Sequence, residues 1–285
     1  MKSNTISPDE HIFCKVLSRL AKKPQALYIR GKLPESRPPV VAIVGTRKPT
    51  SYGREVTFRI ARELAERGVV VVSGLAIGVD GIAHQGALEG KGLTIAVLPG
   101  SVNEVYPRSH QALADKIITA SGALLSEYKE GSDIQKFHFL ERNRLVAGLA
   151  DAVIVTEAAR RSGTMSTVAH ALEQNKEVFA VPGPITSPMS EGTNAMIKQG
   201  AHPLLSVDDV LEIIAPDLLK KQTELPLGDT PLESTIIKLL HKGVRDGDEL
   251  LAGAGAETSE FLQALTMLEL AGTIRPLGGN QWTLR

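Results

Sequence analysis

Two cations, Arg47 and Lys48, follow Gly45 and Thr46 at the end of the apolar run Val40–Val44. A guanidinium and an ammonium at a strand end, beside a helix starting near Ser51–Gly53, suit the binding of an oxyanion. The loop is not a G-x-G-x-x-G turn, because Thr46 and Arg47 interrupt it, and no G-x-x-x-x-G-K-[ST] run occurs in the chain. Similar chemistry recurs at other strand ends. Ser73 and Gly74 open SGLAIGVDGIAH, whose glycines either bring backbone amides close to a ligand or let strand, turn and helix pack tightly with Asp80 as an N-terminal cap. In FHFLERNRLVAGLAD, Arg142, Asn143 and Arg144 fall at the head of a predicted helix, where two cations oppose the macrodipole unless an anion is bound. Phe137, His138 and Phe139 precede them and are able to stack on a base. Arg160 and Arg161, followed by Ser162, Gly163 and Thr164, form a further anion nest at a helix start. Glu127 and Glu157 read either as a carboxylate pair or, the favoured reading, as anchors for arginines such as Arg142 or Arg144, and His84 reads as structural.

No catalytic set emerges from these residues. The seven histidines show no H-x-H or H-E-x-x-H spacing, and there is no G-x-S-x-G elbow. No catalytic residue, metal ligand or cofactor is expected. Cations spread over several strand-end loops instead suit a ligand with several phosphates.

The elements that must position these loops alternate. Strands are predicted at 40–44, 69–73, 94–98, 122–128, 151–158 and 178–183, separated by helices at 53–67, 80–89, 109–121, 139–150 and 166–175. The strands are continuous apolar runs, as in a parallel sheet covered by helices on both faces. Their C-terminal ends converge on one edge, where ligands bind in open α/β sheets. Residues 9–21 alternate apolar and polar at helical spacing, with Cys14 on the apolar side, and KPQALYIRGKLP reads as a short strand. The organisation expected is a helical and strand extension (1–39), the α/β domain (40–216), a linker (217–230) and a small domain (231–285).

That last segment reads as three helices and a hairpin with a Gly-Gly-Asn turn, a winged-helix pattern. It carries five basic side chains against seven acidic, a net charge of −2, and its third helix has Glu260 and Glu269 but no cation. Such a surface is poor for gripping a duplex and suits a protein contact or a regulatory role.

The 285 residues are 42% hydrophobic and 22% charged, enough apolar content for a sizeable core, and the 32 basic and 32 acidic side chains balance. Nucleic-acid binding, if present, must therefore be local. A single cysteine forbids an intrachain disulfide and fits a reducing cytoplasm. No signal-peptide core and no membrane-length apolar run is present, so no membrane partner is expected.

The motifs VAIVGTRKPTSYG, VVSGLAIGVDGIAHQGAL, IAVLPGSVNEVYP, ERNRLVAGLADAVIVTEAARRSGTMSTVAHALE, VFAVPGPI and GTNAMIKQGA run in series over residues 40–202. Together they resemble the DNA-processing protein A (DprA/Smf) family. The resemblance implies an extended Rossmann-like fold that binds single-stranded DNA, forms a homodimer through that domain and hands DNA to the RecA recombinase in natural transformation. It also implies that Arg47, Arg142, Asn143 and Arg144 contact the DNA. Leu140 stands where the family's F-P-x-R-N-R motif carries proline, and the N-terminal helical domain of many members is expected to be mostly missing. The rival expectation is a Rossmann-like nucleotide phosphoribohydrolase, faintly suggested by Pro99-Gly100 and Ser162-Gly163-Thr164, although its full P-G-G-x-G-T loop is absent. A third is an adaptor that acts only through RecA-like partners.

Overall fold

The computed structural model describes residues 4–219 and 228–284. The middle of the predicted linker (220–227) lies outside these residues, as do residues 1–3 and Arg285. The described residues fall into two compact units, the first ending at Leu219.

The first unit is built on a nine-stranded sheet. In chain order its elements are β1 (Asn4–Ile6), β2 (Leu27–Gly31), β3 (Val40–Val44), α1 (Ser51–Glu66), β4 (Val70–Ser73), α2 (Val79–Glu89), β5 (Thr94–Val97), α3 (Gln111–Thr119) and β6 (Ala123–Ser126). There follow α4 (Lys136–Leu149), β7 (Ala152–Val155), α5 (Thr164–Glu173), β8 (Glu177–Ala180), α6 (Glu191–Lys198), β9 (His202–Pro203) and α7 (Val207–Ile214). The strand order is β1-β2-β6-β5-β4-β3-β7-β8-β9. The pairs from β6 to β9 are parallel, whereas β1–β2 and β2–β6 are antiparallel.

Side-chain alternation along each strand feeds two cores. On β3, Val40, Ala42 and Val44 join Phe13, Leu17 and the buried side of α4 on one face. Val41 and Ile43 join α1, α2 and α7 on the other. Every residue of β3, β4, β5, β6 and β7 is buried, which explains the unbroken apolar runs in the sequence.

The chain adds β4, β5 and β6 on one side of β3, then returns to place β7, β8 and β9 on the other. This reversal opens a crevice at the C-terminal ends of β3 and β7, the place where open α/β sheets bind ligands.

The N-terminal segment departs from expectation. Residues 9–21 do not form one amphipathic helix; they form two 3-10 turns, Pro8–Glu10 and Lys15–Arg19, and Asn4–Ile6 pairs with β2 as an edge strand. A short isolated helix is marginal, so the fit of Phe13, Cys14 and Leu17 against the sheet, all fully buried, decides the backbone. Burial pushes the Cys14 thiol up to about 12, the behaviour of a core side chain.

The second unit contains α8 (Pro231–His241), α9 (Gly247–Ala254), α10 (Thr258–Leu270) and the hairpin β10 (Ile274–Gly278) and β11 (Gln281–Leu284). Thr230 caps α8, its hydroxyl accepting from the Glu233 N–H (3.1 Å) while Glu233 accepts from the Thr230 N–H (3.1 Å). The hairpin turn needs left-handed backbone at Gly278, Gly279 and Asn280 (φ 88°, 59° and 58°), residue types that tolerate it. Ile236, Ile237, Leu240, Phe261, Leu265, Leu268 and Ile274 form a core of its own.

Candidate nucleic-acid interface

The loop after β3 is tied to both neighbouring elements. The Thr46 N–H donates to the Glu157 carbonyl (2.8 Å), and the Thr46 carbonyl accepts from the Val79 N–H (3.1 Å). A Cβ on Gly45 would come within 2.7 Å of Val79 and 2.8 Å of the Glu157 carbonyl, so only glycine passes here. Arg47 and Lys48 are thereby held at the rim with exposed side chains.

Glu157 is buried, but among the described residues it pairs with no arginine. Its carboxylate accepts from the Thr50 N–H (2.8 Å) and hydroxyl (2.6 Å), while Thr50 caps α1 by accepting from the Gly53 N–H (3.1 Å). The N-terminal end of a helix is where a buried carboxylate is best satisfied. Glu127 does pair with an arginine, Arg144.

The glycine-rich loop after β4 is closed by Asp80. It is not the N-cap of α2, a position held by Gly78. Its Oδ2 accepts from the Gly74 N–H (3.1 Å) and the Ala76 N–H (3.4 Å), rigidifying the loop. Burial pushes the Asp80 carboxyl up, and the nearby Arg142 guanidinium opposes that shift.

Arg142 is not at a helix head. α4 starts at Lys136, with the Gln135 N–H donating to His138 Nδ1 (3.3 Å), so Arg142, Asn143 and Arg144 lie mid-helix and the macrodipole conflict disappears. Arg142 is buried and donates through Nη1 to the carbonyls of Gly74 and Val97. Strand C-termini leave carbonyls unpaired, and a guanidinium satisfies them.

A cleft of about 560 Å³ lies at the crevice. Gly45, Thr46, Arg47, Lys48, Gly74, Arg142, Asn143, Ser162, Gly163 and Thr164 line it. Its charged side chains are Arg47, Lys48, Arg142 and Arg161 against Asp80 alone. Phe139 also lines it: the Arg47 guanidinium lies 5.6 Å from the Phe139 ring centroid, and Tyr106 meets that ring edge-on at 5.5 Å. Beside it a pocket of about 60 Å³ is walled by Ile77, Pro99, Tyr106 and Phe139.

Five expected site residues lie elsewhere. Ser73 is buried and its hydroxyl donates to the Ile43 carbonyl (2.6 Å), joining β4 to β3. His138 is buried and stacks on Tyr128 at 4.0 Å, and Phe137 meets His138 edge-on at 4.5 Å. Arg144 is buried against Glu127, away from the cleft. Arg160 is exposed and does not line the cleft, whereas Arg161 does. Helical geometry sorts the α4 residues: Phe139, Arg142, Asn143 and Val146 share one face at i, i+3, i+4 and i+7, and that face lines the cleft. Of the three ring-bearing residues expected to stack on a base, Phe137, His138 and Phe139, only Phe139 lies on this face. Nothing in the sequence distinguishes Arg160 from Arg161, or points to Met189, which arrives from the loop before α6.

The comparisons with known proteins decide the family. The model for DNA recombination-mediator protein A matches residues 4–215, and that for the DprA winged helix domain matches residues 220–280. The chain belongs to the DprA family. Among its DprA/Smf relatives, Protein Smf of Escherichia coli is 36% identical over 98% of this chain and 77% of its own length. The DNA processing protein DprA of Bacillus subtilis is 39% identical over 73% of this chain and 70% of its own length. The solved DprA of Streptococcus pneumoniae superposes with a TM-score of 0.68 at 36% identity, covering 75% of each chain. The DprA of Helicobacter pylori, solved for its single-stranded DNA binding mode, gives a TM-score of 0.63 at 34% identity, covering 74% of this chain and 95% of that one. The DprA fold expected from the motifs, an extended Rossmann-like sheet followed by a winged helix, is the one found. No helix among the described residues is long and apolar enough to cross a membrane.

Proposed function

We propose that the cleft between the β3 and β7 ends binds single-stranded DNA by its phosphates, with Phe139 and Tyr106 offering a face to a base. The observation that carries this reading is the convergence of Arg47, Lys48, Arg142 and Arg161 on one cleft that is also lined by Phe139, with Tyr106 against that ring in the adjoining pocket. A duplex hides its bases and is too stiff to follow such a pocketed edge, whereas a single strand presents flexible phosphates and open base faces. The Helicobacter pylori relative, whose structure concerns single-stranded DNA binding, supports the same ligand.

In this reading the α/β domain (40–216) is the DNA module and acts as a homodimer, the segment 217–230 is a linker, and the winged helix (231–285) contacts protein. The protein protects incoming single-stranded DNA and loads RecA onto it during transformation. Membership of the DprA family supports this role.

Fluorescence anisotropy with labelled oligo-dT and a matched duplex at two salt concentrations tests the ligand. Tighter binding of the single strand, weakened by salt, is expected; equal affinity for both, or none for oligo-dT, rejects the reading. RecA strand exchange on DNA coated with single-strand-binding protein tests the loading role, and light scattering tests the dimer.

A further inference from the structure

Arg144 faces a second cleft, of about 540 Å³, on another face of α4 from the one that carries Phe139 and Arg142. Its charged lining is Arg19, Lys22, Arg144 and Lys176 against Glu173; counting Glu127 and Glu141, which pair with Arg144 and Lys22, the cluster carries a net charge of +1 with His170 neutral. The cations come from separate parts of the chain: Arg19 and Lys22 from the N-terminal turns, Arg144 from mid-α4, and Lys176 from the turn into β8. Arg144 is buried, and Glu127 satisfies only its Nη2. Its Nε and Nη1 are buried and without a hydrogen-bond partner. Lys22 pairs with Glu141, but Arg19 and Lys176 make no ion pair among the described residues. Burial holds the Lys176 ammonium below its ordinary range; Asp151 opposes that shift, while Arg37 and Arg19 add to it.

Such a cluster is short of negative charge. A buried guanidinium with two free donors, ringed by cations that repel one another, suits an anion that carries more than one charge and several acceptor oxygens. Phe, Tyr and Trp are absent from the lining and His170 is its one ring, so it offers less to a base than the main cleft does. We propose that this second cleft is an independent site for an oligophosphate anion, free or carried by a nucleotide, with Arg144 as its floor and Arg19 and Lys176 as its walls. It has no need of the DNA-binding reading of the main cleft.

Calorimetric titration of the full chain with sodium pyrophosphate tests the site, performed with oligo-dT already saturating the protein. One pyrophosphate per chain is expected to bind. The Arg19→Ala/Lys176→Ala variant, whose changes lie at the cleft walls, is expected to weaken that binding by about tenfold or more, a change of about 1.4 kcal/mol, while keeping its oligo-dT affinity. Arg47→Ala is expected to leave pyrophosphate binding unchanged. Titrations with ATP and adenosine separate the sources: equal binding of ATP and pyrophosphate marks a free oligophosphate, tighter binding of ATP marks a nucleotide, and binding of adenosine alone overturns the proposal. Absence of pyrophosphate binding, or its loss in Arg47→Ala but not in Arg19→Ala/Lys176→Ala, also overturns it. Loss of oligo-dT binding with retention of pyrophosphate binding would instead strike the main-cleft reading alone.

Discussion

The Arg142 guanidinium fills the space that a side chain on Gly74 would occupy. It donates to the Gly74 carbonyl from that position, so the glycine and the arginine require one another. The contact lets one buried cation reach the DprA cleft without a loop to carry it.

Gly74→Ala should therefore displace Arg142. Overpacking of this kind costs about 1–3 kcal/mol of stability, and the displaced guanidinium should also weaken oligo-dT binding. Thermal melting and anisotropy of the variant check both effects. An unchanged melting temperature with unchanged affinity would show that the contact is dispensable.

Arg47 and Arg142 should separate binding from stability. Arg47 is exposed, so Arg47→Ala should lose about 1–3 kcal/mol of oligo-dT binding with an unchanged melting temperature. Arg142→Ala removes the cation beside buried Asp80 and the donor to two carbonyls, and should cost about 3–5 kcal/mol of stability. Arg144→Ala belongs with the second kind, since it would leave Glu127 without its partner.

Binding should be strongly salt-dependent. With about three to five phosphates contacted, the slope of log K against log salt should be roughly −2 to −3.5, from about −0.7 per phosphate on a single strand. Few aromatics line the cleft, so sequence preference should be weak. Anisotropy across a salt series measures the slope, and a value near zero would rule out phosphate contacts as the main attraction.

Stability should fall in mild acid through His84. Burial holds this imidazole down to about 3, from an ordinary 6.5, with the charges of His110 and Arg142 adding to the effect. The folded state keeps it neutral while the unfolded chain takes up a proton below 6.5. Its contribution is complete above that pH and is lost, at about 1.4 kcal/mol per pH unit, as the pH falls from 6.5 towards 3. Asp80, raised by burial, acts in the opposite sense at lower pH and is common to both proteins in the comparison. Urea denaturation at pH 7.5 and 5.5 should show about 1 kcal/mol more loss for the wild type than for His84→Gln. Parallel losses would mean that His84 is protonated in the fold.

The winged helix should be dispensable for holding a single strand. It has its own core, and α10 shows Glu260 and Glu269 with no Lys or Arg. A chain ending at Leu219 should keep its oligo-dT affinity within about twofold, less than a tenfold step of 1.4 kcal/mol. A larger loss would assign the winged helix to the DNA.

The alternation of apolar strands with helices was legible because burial on both faces of a parallel sheet demands continuous apolar runs. The strand-end loops were legible for a related reason: glycines and cations directly after such runs break the apolar pattern that burial inside the sheet imposes. The N-terminal segment was misread because its spacing fits a helix while its backbone follows the contacts of Phe13, Cys14 and Leu17.

The sequence by itself determined the layered fold, the edge that holds the loops and the family, since these follow from local pattern and from long motifs in series. Only the tertiary structure decided which cations share a cleft. Successive residues of α4 are turned by about 100° about the helix axis, so residues two apart lie on nearly opposite faces. The packing of α4 on the sheet turns the Arg142 face to the crevice and leaves Arg144 to Glu127 and a separate cavity.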